Sequence, residues 1–175
     1  MSSMNQKIEH LGDHLPYEVL MLRHSYQRTL EDRYALDWNA FYEAFAVHAR
    51  NLFDFLMNKG GSNNFNARDF SASFAAREDA AVQRLINQDL HWQVFHFGKQ
   101  RKSEEDEKVG KEQRKAVFEW IEENFNVFTE ALDRDLGPYW YPERADPEKV
   151  HGELTKAPDT VAVGLAPQSA STGSP

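Results

Sequence analysis

Large apolar side chains recur every three to four residues along most of this chain, and that spacing restricts its fold more than any other feature. Phe118, Ile121, Phe125, Phe128 and Leu132 form the longest such stripe. At 100° per residue these positions fall on one side of a helix, which must then be buried against something. Three further segments repeat the pattern. Leu15, Val19, Leu22, Tyr26 and Leu30 follow Pro16, a residue suited to a first helical turn. Trp38, Phe41, Phe45, Leu52 and Leu56 mark a second helix, with Asp37 as its expected N-cap and Lys59-Gly60-Gly61 as its expected stop. Val82, Leu85 and Trp92, with Ile86 and Leu90 beside them, predict a helix over 77–97. No stretch alternates apolar and polar residues as a half-buried strand would. The expected fold is therefore all-α, an antiparallel bundle of about four long helices with a disordered C-terminal tail.

The segments between these helices set the expected boundaries. Residues 1–14 read as a polar N-terminal extension, 15–144 as the helical bundle domain and 145–175 as the disordered tail. The stretch GGSNNFNARDFSASFAA at 60–76 is rich in turn formers, and Phe65, Phe70 and Phe74 are expected to pin it to the core. The fourth helix is expected over about 111–136, stopping at Gly137-Pro138, with Tyr139, Trp140 and Tyr141 folding back onto the bundle. Beyond Ala145 the chain is dominated by Pro, Ala, Ser, Thr and Gly, too few large apolar groups to offset the entropy of ordering.

Composition narrows the function classes. There is no cysteine, which rules out disulfides, thiolate metal sites and thiol catalysis. Formal net charge is −8 and the sequence pI is about 5.4, which opposes general attraction to nucleic acid or anionic membranes. The N-terminus carries no apolar run of the signal-peptide kind, and no segment has the roughly 20 apolar residues of a membrane span. A cytoplasmic protein without membrane association is expected.

His48 and Arg50 lie inside the strongly apolar stretch AFAVHARNLFDFLM, 44–57. On an ideal helix His48 falls about 20° from Phe41 and 40° from Leu52, so it points at the core. Arg50 is turned about 200° away, with Asp54 four residues on, the spacing of a helical Arg–Asp pair. His48 is expected to be a core histidine in a small polar network, since a buried imidazole needs partners for its ring nitrogens. His96 projects about 40° from Trp92 and also faces inward on a continuous helix, so the two histidines could meet. No metal or cofactor is expected. Glu-x-x-His and His-Glu-x-x-His do not occur. His10, His14 and Glu18 have helical spacing, but Gly12 and Pro16 are expected to interrupt a helix there. No nucleophile elbow or phosphate-binding glycine loop is present.

The segments LPYEVLMLRHSYQ, AFAVHARNLFDFL, ARDF at 67–70 and VFHFGKQR at 94–101 resemble a group of small, uncharacterised bacterial helical proteins, over about residues 10–140. The overall plan also resembles the HEPN class of helical domains. Many of those are ribonucleases of toxin–antitoxin or phage-defence systems that act as dimers, and others are non-catalytic. The resemblance implies a metal-independent cut in RNA, with an arginine stabilising phosphate charge and a histidine moving protons. Here the residues for those roles are His96 and Arg101, in the reverse of the usual Arg-then-His order and about 140° apart on a straight helix. Arg84 with His91, and Arg144 with His151, keep the order at permitted spacings. Two expectations follow. One is a non-enzymatic helical module with an interaction or structural role, binding a protein partner or forming a homodimer. The other is a HEPN-like nuclease using His96 and Arg101, with Lys99, Arg101 and Lys102 against the RNA backbone.

Overall fold

A computed structural model describes residues 3–31, 34–61, 63–90 and 109–154. The described residues are all-helical, with no strand. We number the helices α1 (Met4–Glu9), α2 (Leu15–Arg28), α3 (Ala35–Leu56), α4 (Ala80–Arg84), α5 (Lys111–Glu130) and α6 (Pro147–Leu154). Among the described residues, no helix is long and apolar enough to cross a membrane.

Side-chain contacts fix the directions of the long helices. Trp38 near the start of α3 donates to the Thr29 carbonyl just past α2, while His48 further along α3 meets Glu18 near the start of α2. The two helices are therefore antiparallel. Along α2, Arg23 pairs with Glu122, Tyr26 stacks on Phe118 and the Thr29 carbonyl accepts from Arg114, so α5 also runs against α2. Between them lies a core rich in aromatics. Phe45, Phe53, Phe70 and Phe128 are fully enclosed, and Phe53 packs against Trp120. The loop over 60–76 is pinned as expected, with Phe70 and Phe74 buried and Phe65 packed beside them.

Several boundaries differ from expectation, each for a local reason. The chain is already helical from Met4. Ser3 and Gln6 form a reciprocal capping box, and a wide π-type turn, His10–His14, joins α1 to α2. Gly12 and Pro16 therefore do not interrupt the helix. Pro16 occupies the first turn of α2, where a missing N–H is tolerated. It cannot donate to the Gly12 carbonyl, and the Arg144 guanidinium donates there instead at 2.6 Å. Leu11, within the segment read as a polar extension, is fully buried.

Helix α3 begins at Ala35, so Asp37 sits in its first turn rather than at its cap. At its end Asn58, not a glycine, takes the left-handed conformation with φ 55°, and Lys59 N–H reaches back to the Asp54 carbonyl. The third helix starts at Ala80, because Asp79 caps Ala81 and Val82 through its side chain. It widens into a π-type turn over Leu85–Leu90, and Val82, Ile86 and Leu90 carry its buried face. Trp92 and the rest of that expected helix lie outside the described residues. Helix α5 stops at Glu130, six residues early, where Asp133 N–H turns aside to the Phe70 carbonyl.

Helical structure also continues past residue 144, the expected end of the bundle. Ala145 is fully buried, its carbonyl accepts from Arg23, and Asp146 caps the start of α6 ahead of Pro147. The signal was a cap residue followed by a first-turn proline, set in a composition that pointed the other way. Residues 155–175 lie outside the described residues.

Candidate functional site

The π-type turn between α1 and α2 has a geometric consequence. It keeps the helix continuous while carrying His10 and His14 to the side facing the end of α3. Glu18 follows one turn later on α2. Opposite stand Asn51, Asp54 and Phe55 of α3, and residues 59–61 and 63–65 close the third side. Together they enclose an open cleft of about 710 Å³, within the range of small-molecule sites (about 300–1,000 Å³).

Much of the cleft wall is held from behind. His48 is buried, and its Nδ1 lies 2.8 Å from Glu18 Oε2. This contact holds the carboxylate in place through one of its two oxygens. Asn51 donates to the same oxygen at 3.1 Å, so neither contact uses Oε1. The Tyr17 ring meets the His48 ring edge-on and completes its surroundings. Arg50 pairs with Asp54 through Nε and Oδ2 at 2.8 Å, on the helix surface. The other Asp54 oxygen, Oδ1, is enclosed and accepts no hydrogen bond among the described residues. At the loop, Gly60 N–H donates to Asn66 Oδ1, which would sit only 2.9 Å from a Cβ at position 60. A glycine there lets the loop close tightly.

His10 is a partly buried polar part of the wall. Its ring stacks on Phe70 with centroids 5.6 Å apart and lies 4.9 Å from Phe65. Burial among these rings, assisted by the neighbouring His14 and opposed by Glu18, lowers its pKa from 6.5 to about 4. The cleft thus presents a neutral imidazole beside a carboxylate. Lys59, on the rim, directs its ammonium over the Phe53 ring at 4.7 Å, and Phe53 does not line the cleft. Among the described residues, no group of three or more His, Asp or Glu side chains is placed to hold a metal ion.

Of the residues singled out from sequence, His48, Arg50 and Asp54 gather at this one place. His48 lies behind the cleft, Asp54 lines it, and Arg50 braces Asp54. His96 and Arg101 lie outside the described residues, as do His91 and any contact between His48 and His96. Arg84 is described but its expected partner is not, and Arg144 is committed to the Gly12 carbonyl. His10, His14 and Glu18 have the four-residue spacing of one helix face, and the expected break at Gly12 and Pro16, which set them aside, does not occur. Compared with protein-family models, curated proteins and solved structures, the chain matches none.

Proposed function

We propose that the chain is a non-catalytic, cytoplasmic binding module: a helical scaffold that offers a partner the cleft between α2, the end of α3 and residues 59–61 and 63–65. One observation carries this reading. The charged groups of the wall are committed to shaping it, Glu18 to His48 and Asn51, and Asp54 to Arg50. Side chains braced in this way preorganise a surface, which favours recognition. The partly buried imidazole, His10, stays neutral down to about pH 4 and is a poor general acid or base near neutrality.

The nuclease expectation for His96 and Arg101 provides the test. Purified protein at high concentration, incubated with mixed RNA in chelator, is expected to leave the RNA intact. Cleavage that His96→Ala and Arg101→Ala each abolish, in variants still folded by circular dichroism, would replace the binding-module reading with a HEPN-like ribonuclease.

A further inference from the structure

Building on that reading, we infer that the cleft receives a protonated amine, a single alkyl- or arylammonium group with an apolar body. It would come either from a free small molecule or from a lysine side chain of a protein partner. Three features of the wall converge on this chemistry.

The first is charge. Asp54 is compensated by Arg50, and the Lys59 ammonium sits at the rim of the cleft, over the Phe53 ring. Glu18 presents its carboxylate to the cleft, held through Oε2 by His48 and Asn51, and neither contact uses Oε1. One carboxylate calls for one cation, and an anchored carboxylate loses little freedom on pairing. The second is the absence of competition. A cationic imidazole at His10 would repel an ammonium beside Glu18. Its aromatic surroundings hold it uncharged, so one ring nitrogen can accept an N–H. The third is the apolar lining. Phe65, partly exposed, supplies an aromatic surface for the body of the ligand, and the buried Phe55, Leu15 and Leu52 form the floor behind it. Aromatic faces also attract an ammonium through their quadrupole. Lys59 on the rim would oppose a second positive charge, which favours a monocation over a polyamine.

The experiment is calorimetric titration of the full chain at neutral pH and low salt with four probes. These are benzylamine, its neutral isostere benzyl alcohol, its anionic counterpart benzoate, and N-acetyl-lysine methylamide. Benzylamine or the lysine derivative is expected to bind with a Kd of about 1 mM or tighter, with benzyl alcohol and benzoate at least about tenfold weaker. Preference for benzylamine would identify a free amine as the ligand, and preference for the lysine derivative a partner's side chain; either supports the inference. Glu18→Gln is expected to weaken amine binding about tenfold while changing benzyl alcohol binding little. If Glu18→Gln does not fold, Lys59→Glu on the exposed rim serves instead and should tighten amine binding about threefold. Equal or better binding of benzoate or benzyl alcohol overturns the amine assignment, and so does no binding of any probe. Insensitivity to the rim or Glu18 substitution in folded protein overturns it too. None of these results touches the binding-module reading, which the RNA assay decides separately.

Discussion

The α2–α3 pair meets polar side chains at both ends, from α5 at one and from its own helices at the other, and the two ends treat them in opposite ways. At one end Arg114 is buried, donates to the Val109 and Thr29 carbonyls, and lies over the Trp38 ring, while Trp38 itself donates to Thr29. Its charge is turned inward on backbone carbonyls and serves the fold. At the other end, about 16 Å along α2 by helical rise, Glu18 is gripped through one oxygen, and neither contact uses the other. Comparable residue types thus build a closed joint at one end and an open cleft at the other. What separates them is how many hydrogen-bonding positions the fold itself consumes.

Substitutions can break this contrast. Arg114→Ala should have the largest effect, about 3 kcal/mol or more in urea unfolding, because it strips buried carbonyls of a charged donor and uncovers Trp38. It should leave amine binding at the distant cleft unchanged in protein that remains folded. A loss of binding equal to that of Glu18→Gln would show that the two ends are not separate.

Next in size is a pH effect. The folded-state pKa of His10 lies below its unfolded value, so the unfolded chain takes up that proton first as pH falls. Stability contributed by the neutral ring is present above pH 6.5 and is lost progressively down to about pH 4. After allowing for partial exposure, the loss is on the order of 2 kcal/mol. Urea unfolding across this range should show a shallower decline for His10→Gln than for wild type; parallel curves would remove His10 as the source.

Glu18→Gln should cost only about 1 kcal/mol, since a neutral amide can still meet His48, yet it should remove most amine binding. Such a small stability cost beside a large binding loss is the reverse of the Arg114 pattern. Arg144→Ala should have the smallest effect, about 0.5–1 kcal/mol, by freeing the Gly12 carbonyl to water. Amide hydrogen exchange should detect it as faster exchange confined to the π-type turn and its neighbours.

Local geometry explains why parts of this were legible in the sequence. The 100° step placed His48 inward and put Arg50 beside Asp54, and the phenylalanines at 65, 70 and 74 announced a pinned loop. Those readings need only neighbours within a few turns. The partner of His48 is 30 residues away on another helix, and nothing in the spacing names it. Gly12 and Pro16 read as a break because the donor that replaces the missing proline N–H comes from Arg144, 132 residues later. The same distance hid the cleft, since His10 and His14 share a wall with Glu18 only if the helix runs through. At Asn58 a side chain other than glycine filled the left-handed position, a substitution that residue tolerates more readily than most.

The clasp between Arg144 and Gly12, and the neighbouring one between Arg23 and Ala145, also bear on how the chain is made. A polypeptide leaving the ribosome presents its first helices long before position 144 has emerged. During that interval the Gly12 carbonyl can bond only to water, and α2 lacks the segment that covers its far side. The wall carrying His10 and His14 would therefore be synthesised well before the contact that sets it. Emergence of position 144, more than the appearance of α1 and α2, would time the arrival of a competent cleft.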